Sequence, residues 1–434
     1  MFLKSKIKTI VPKKIICFYH DIVFTINLNK KRSLYKKTIY DTYNHYDTVK
    51  EKIKNREDKK IHFASYVVFD STFSAYGIMD ILLKNPEKYA PKIVIIPDIS
   101  RGQEHLIKQY NQTKSFFIKK YGKEYVIDGY NEITNEFIDV SNQFDIVYCA
   151  NPYDAMVNKV HGVSYLTTKD ILPIYISYGC MPDKYSAEIL MPMLEISLFW
   201  KVYADNEYSF KDYKKYELAK GKNVLLSGYS KMDSLNNISS KKKSKIKIIL
   251  APHHTINYPA LPLSNFLKYY DFILTLPERF PDIEFIFRPH PLLFTNLIND
   301  NFWTKDDVEN YITKIQNKGI FYSTGGDYLE IFYNSDAIIH DCSSFIVEYL
   351  YTGKPSCFVA KKNYKEIFGK LGKACLKNYY IAFNENEIIS FINDVIINKK
   401  DKLKTKREIF AKEKLALNYP NVSDIIVNSI SDIK

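Results

Sequence analysis

Two successive series of alternating strands and helices, divided by a polar basic stretch, predict an α/β protein with two parallel-sheet domains. Three observations carry this expectation. Short apolar runs alternate with helix-period segments from residue 62 to residue 228, and again from 246 onward. Residues 236–245, NNISSKKKSK, lack apolar periodicity and read as the linker. Several apolar runs of the second half end in the same kind of polar, histidine-containing sequence, as strands do when their carboxyl ends share one edge of a parallel sheet.

In chain order, the first series places strands at 62–69, 92–97, 125–127, 144–150, 173–178, 202–204 and 224–228, with helices at 74–83 and 104–120. The second places strands at 246–250, 283–287, 320–322, 337–339 and 356–359. Its helices fall at 263–276, 306–316, 328–333 and 345–351, and terminal helices at 385–397 and 403–414. Gly353 stops the 345–351 helix and Pro355 prevents its return. The domains expected are a basic N-terminal segment 1–60, a first domain 61–235, a second domain 246–400 and C-terminal helices 401–434.

With 434 residues, 46% hydrophobic and 26% charged, the chain is globular and long enough for two or three domains. Its six cysteines form no Cys-x-x-Cys pair, so neither a zinc site nor a disulfide framework is indicated, and reduced cytosolic thiols are the simplest account. Net charge is +13, and residues 1–60 carry 16 Lys and Arg against 6 Asp and Glu. That segment holds no run long enough to span a bilayer and no cleavable signal. With Phe18, Tyr19, Val23 and Phe24 among its basic residues, it reads either as a surface for an anionic membrane or as the solvated face of an ordinary helix. No nucleic-acid-binding module is recognisable, and nucleic acid is not expected as a partner.

Residues 335–355, SDAIIHDCSSFIVEYLYTGKP, read as strand, polar turn and helix, the arrangement at which open α/β sheets bind anions. Asp341, Ser343 and Ser344 suit a phosphate site, and Glu348, one turn on, suits a sugar diol. A mere helix cap would favour Glu or Gln at the third helical position, where Ile346 or Val347 stands. Other strand ends carry His253 and His254, Arg288 and His290, and, more weakly, Thr324 and Gly325. With His340, four of the nine histidines then share one sheet edge, where imidazole can act as base or donor and Arg can neutralise phosphate. Zinc held by His plus Asp341 ranks third, because no His-x-Glu or Glu-x-x-His spacing supports it, and no metal or other cofactor is expected. No Gly-rich phosphate loop occurs in the first half, which counts against dinucleotide dehydrogenases and NTPases.

Arg288-Pro289-His290-Pro291, followed by Asp341-Cys342-Ser343-Ser344, then Glu348 and Lys354-Pro355, resembles the CDP-glycerol glycerophosphotransferase family of teichoic-acid and capsule enzymes. Gly228-Tyr229-Ser230-Lys231-Met232-Asp233 is similar to the family's Gly-x-x-Arg-x-Asp segment, with Lys231 in place of Arg. The resemblance is clear over residues 224–360 and diffuse over 140–223. It implies a GT-B-like architecture, two Rossmann-like domains facing a cleft. It also implies transfer of a polyol phosphate from CDP-glycerol, or a related activated donor, to a hydroxyl of a surface polysaccharide or its lipid-linked precursor, in the cytoplasm at the inner membrane face. Under it, Arg288, His253, Thr324, Gly325, Asp341, Ser343, Ser344 and Glu348 bind nucleotide and phosphate. His290 stabilises the leaving phosphate, and His254 acts as base or second phosphate contact. Two departures stand out: Tyr178-Gly179 replaces the family's His-Gly, leaving Tyr178 to orient the acceptor, and His253-His254 replace its Thr and Arg. They leave open a GT-B glycosyltransferase using a nucleotide sugar, or a non-catalytic subunit of a polysaccharide-assembly complex.

Overall fold

The computed structural model describes residues 13–239, 245–325 and 328–433, with side chains from residue 21. The first sheet contains β1 (Ile61–Val67), β2 (Tyr89–Ile95), β3 (Val126–Asp128), β6 (Ile146–Cys149), β7 (Leu172–Ile176), β8 (Lys201–Ala204) and β9 (Val224–Leu226), with a small hairpin of β4 (Tyr130–Asn131) and β5 (Glu136–Phe137) outside it. Its order is β3-β2-β1-β6-β7-β8-β9, all parallel. The second sheet, β10 (Ile246–Ala251) to β15 (Tyr380–Ala382), includes β11 (Ile283–Phe287), β12 (Phe321–Tyr322), β13 (Ala337–His340) and β14 (Ser356–Val359). Its order is β12-β11-β10-β13-β14-β15, again all parallel. In each sheet the chain reverses its direction of winding beside the first strand, between β1 and β6 and between β10 and β13, where a crevice opens at the carboxyl ends.

The central strands, such as β6, β7, β13 and β14, are buried on both faces, which is why they read as short, mostly apolar runs. Along β13, Ala337 and Ile339 enter the core beneath the Phe266–Arg279 helix, while Ile338 enters the core of Phe332, Ile346 and Leu350 on the opposite face. Most sequence-read elements appear within a few residues of their expected bounds, and 283–287 and 356–359 coincide. The edge strand Tyr380–Ala382 and the helices Glu207–Tyr216, Leu293–Asn299 and Val422–Ser431 were not expected; the strand is three residues long and the Leu293–Asn299 helix only seven. The expected helix 345–351 is α-helical only over Phe345–Glu348 and tightens to a 3-10 turn over Tyr349–Thr352.

The N-terminal segment forms one helix over Lys13–Asn55. From Leu28 onward it is built into the first domain: Leu28 and Ile39 join one of that domain's cores and Tyr46, Val49 and Ile53 the other. Arg32 donates to Glu217 O at 2.9 Å and Tyr43 OH to Ser197 O at 2.9 Å. Phe18 and Tyr19 lie outside the residues whose side chains are described. Among the described residues no helix is long and apolar enough to cross a membrane.

The Val422–Ser431 helix leaves the second half of the chain and packs on the Tyr76–Lys84 helix of the first, placing Val422, Ile426 and Ile430 in the first domain's core. Gly228 permits this return. Its φ is +99°, and a Cβ there would collide with Leu417 O. Asp233 fixes the helix start by accepting Ser423 N and Oγ, each at 2.7 Å. The linker stretch is described only as far as residue 239 and from 245, so the expectation for 240–244 lies outside the described residues.

Candidate functional site

Asp341 ties together the strand-end turns of the second domain. It follows β13, and its Oδ1 accepts the His253 backbone N–H at 2.6 Å from the turn after β10. Its Oδ2 accepts the Asn265 backbone N–H at 2.5 Å, at the start of the Phe266–Arg279 helix. The carboxylate is 3% exposed, and burial raises its pKa to about 6 despite these hydrogen bonds. It frames the turns that present the histidines.

His253, His254 and His290 gather into one cluster, with one ring nitrogen from each within 4.8 Å of the others. The His254 and His290 ring centroids are 4.0 Å apart. What faces each Nδ1 sets the tautomer. His290 Nδ1 accepts Leu292 N–H at 3.1 Å, and His340 Nδ1 accepts Cys342 N–H at 3.1 Å. His253 Nδ1 accepts Thr255 N–H at 3.3 Å and lies 2.8 Å from Thr255 Oγ1. His254 Nδ1 accepts Asn296 Nδ2 at 3.0 Å, whose orientation is set by its second bond, to His254 O at 3.1 Å. Each neutral ring therefore carries its proton on Nε2. Burial keeps all four neutral, pushing His254 down to about 4, His340 to about 3, and His253 and His290 well below the ordinary value; Arg101 across the cleft adds to the effect at His254. A cation bound at Nε2 would require the proton on Nδ1, where N–H donors already point. The donor set fits an anion better than a metal. It also bears on one expected role: in this tautomer His254 offers a donor at Nε2, which does not suit a base.

Arg288 follows β11 and is 8% exposed. Its Nη1 donates to Ser323 Oγ and its Nη2 to Gly325 O, each at 2.8 Å, so it also shapes the turn carrying Thr324 and Gly325. Thr324 is exposed, and Gly325, at φ +66°, lies opposite Gln112 of the first domain's Gln103–Tyr121 helix.

The two carboxyl edges meet at the remaining residues. Ser343 Oγ donates to Asp183 Oδ2 of the first domain at 2.8 Å. Ser344 makes no side-chain cap bond, and it stands beside Gly179, where a Cβ would be 3.5 Å from its own. Glu348 is fully buried instead of lining a sugar pocket. Its Oε1 accepts Tyr229 OH at 3.0 Å and its Oε2 accepts Tyr328 OH. The expected ribose contact is thus corrected: the carboxylate lies one turn into the helix, in the seam between domains. Tyr178 OH lies 3.0 Å from Tyr153 OH, and its carbonyl accepts Tyr229 OH and Lys231 Nζ at 3.1 and 3.2 Å. Burial raises the Tyr178 phenol above its ordinary pKa, which disfavours phenolate.

The first domain has polar strand-end turns of its own that the sequence pattern does not single out. After β2 come Asp98, Ser100, Arg101 and His105, a polar turn at a strand carboxyl end of the kind recognised in the second half. Asp183, Tyr229 and Tyr328 were missed for another reason: their roles depend on contacts across the seam.

No family model matches the chain, and no curated protein matches it. Solved structures do. The wall teichoic acid polymerase TagF matches with a TM-score of 0.57 at 15% identity, over 94% of this chain and 98% of that one. UDP-GlcNAc 2-epimerase from Neisseria meningitidis, bound to UDP-GlcNAc, matches with a TM-score of 0.53 at 13% identity, over 86% and 100%. S. aureus MnaA, solved with UDP, matches with a TM-score of 0.53 at 13% identity, over 85% and 96%.

Proposed function

We propose that this chain, whose fold is GT-B-like, is a transferase moving a polyol phosphate from a CDP-activated donor, CDP-glycerol or a relative, to a hydroxyl of a surface polysaccharide or its lipid-linked precursor. The observation that carries this reading is the convergence, on one sheet edge, of neutral Nε2–H donors with Arg288 and the Asp341-Cys342-Ser343-Ser344 turn. A departing nucleotide phosphate gains negative charge, and preorganised N–H donors in a water-poor cleft stabilise that charge without first having to be protonated. TagF, covered almost end to end and also solved with CDPG, supports the donor class. Arg288, His253, His254 and His290 then hold the diphosphate, with Thr324, Gly325, Ser343 and Ser344 at its border, and Tyr178 orients the acceptor.

The likeness to a UDP-GlcNAc-bound enzyme, with Tyr178 in place of the resembling family's histidine, favours a second reading: transfer from a nucleotide sugar on the same edge. Calorimetry with CDP-glycerol, CDP-ribitol and UDP-GlcNAc separates the two. Binding of the CDP-polyols supports the first, binding of UDP-GlcNAc alone replaces it with the second, and binding of none points to a non-catalytic subunit. On this reading the protein works at the cytoplasmic membrane face, and the exposed lysines of the N-terminal helix are its contact there.

A further inference from the structure

The wall facing the histidine cluster belongs to the first domain. Phe69 lies just past β1 and Asp98 just past β2, on the carboxyl edge beside the crossing between β1 and β6. Arg101 stacks over the Phe69 ring at 5.4 Å, and Gln112, two turns on from His105 along the same helix, has its Nε2 3.9 Å from where a Cβ at Gly325 would stand, which sets this edge opposite the strand-end turns of the second domain. Asp98 is fully buried and accepts Ser100 N at 2.8 Å, Ser100 Oγ at 2.5 Å and Arg101 Nη1 at 2.6 Å. His105, on the first turn of the Gln103–Tyr121 helix, turns a buried Nε2 toward Asp98 Oδ2 at 3.5 Å, while its side chain stays 34% exposed. A carboxylate only accepts, so the nitrogen facing it carries the proton and the lone pair sits on Nδ1, at the ring's other edge. This is the reverse of the four strand-end histidines of the second domain, whose Nδ1 atoms face N–H donors.

We propose that His105 is the acceptor-side base of this cleft and Asp98 its positioning residue; the inference rests on the transfer reading above. The acceptor oxygen forms a bond to the donor's distal phosphorus while its proton passes to His105 Nδ1. The bond from that phosphorus to the bridging oxygen breaks, and its electron pair leaves with CMP, whose phosphate the Nε2–H donors receive. The base then returns the proton to solvent. Burial, with Arg101 and Lys108 nearby, holds His105 below its ordinary pKa against the pull of Asp98, so the ring is neutral at pH 7. At 3.5 Å the Asp98 carboxylate favours the proton on the facing Nε2 through its charge and not through a formed hydrogen bond. Tyr178, hydrogen-bonded to Tyr153 and resistant to ionisation, does not compete for this role.

The test uses the full chain, CDP-glycerol as donor and a short poly(glycerol phosphate) as acceptor. His105→Gln is expected to lower kcat by about 10²–10⁴-fold, to remove the acid limb of the kcat profile and to leave CDP-glycerol affinity within about twofold. Asp98→Asn is expected to lower kcat less and move that limb to lower pH. Nitrogen spectra of the labelled protein should show His105 protonated on Nε2; protonation on Nδ1 overturns the assignment. A wild-type protein that releases CMP while His105→Gln does so equally overturns the base role alone, as does a His105→Gln variant whose donor affinity falls in step with its kcat. A wild-type protein that releases no CMP overturns the transfer reading and the base role with it.

Discussion

Ser343 donates its hydroxyl to Asp183 across the cleft at 2.8 Å, so a carboxylate of the first domain occupies the donor that the second domain would offer to phosphate. Asp183 is 3% exposed and also accepts Ser186 N at 2.8 Å. One hydroxyl proton serves one acceptor at a time, and the carboxylate repels an incoming phosphate. Asp183→Asn should therefore tighten CDP binding several-fold in calorimetry. Weaker binding would show that Asp183 organises the site and does not compete with the ligand.

Arg288→Ala should weaken CDP binding roughly tenfold or more, because a charge-assisted hydrogen bond contributes about 1.5–3 kcal/mol. Arg288→Lys should recover little of it. The ammonium cannot reproduce the fork that holds Ser323 and Gly325 O together. Unchanged CDP affinity in Arg288→Ala removes this arginine from the site.

Losing one preorganised donor from a phosphate site typically lowers kcat by about 10²–10³-fold. His290→Ala and His254→Ala should each show a loss of that order with the protein folded. Gln, which keeps a side-chain N–H, should restore part of it. A base would not be rescued by Gln, so equal losses in the Ala and Gln variants would contradict the donor role.

Stability should fall between pH 7 and pH 5. In the unfolded chain His254 and His340 take up protons near pH 6.5; folded, they do so only near 4 and 3. The unfolded state thus binds more protons in that window, and stability that is complete above about pH 6.5 is lost as the pH drops. By pH 5 each contributes roughly 2 kcal/mol of loss. His253 and His290 act in the same direction. Asp341 and Asp233, raised to about 6 by burial, oppose it by roughly 1 kcal/mol each, because the folded state protonates first. Urea unfolding at the two pH values measures the balance, and equal stability at both contradicts it.

Lys30, Lys31, Lys36 and Lys37 are exposed on the N-terminal helix. Replacing all four by Gln should weaken binding to anionic vesicles and its salt dependence, at about 1 kcal/mol per lysine near the surface. Deleting residues 1–60 would not isolate this effect, since it also removes Tyr46, Val49 and Ile53 from the core. Vesicle binding that is indifferent to the four substitutions makes the helix a purely structural brace.

By itself the sequence determined the layered parallel architecture and the edge on which polar residues collect. Both follow from local rules: buried strands are mostly apolar, as at Ile283–Phe287, where Glu284 alone is charged and half-buried, and at Ser356–Val359, and polar turns begin where they end. The gathering of His253, His254 and His290 was legible for the same reason, since strand order alone brings parallel carboxyl ends together. Only the tertiary structure decided what each polar group faces. Glu348 has the spacing of a ligand contact, yet it is enclosed by Tyr229 and Tyr328 from elements far along the chain. The proton position on each imidazole depends on one neighbouring group: Leu292 N–H for His290, Asn296 for His254, and Asp98 for His105. The His290 contact is local to its turn, but those of Glu348 and His254 are set by the closing of the two domains and the docking of a helix, and no periodicity in the chain records them.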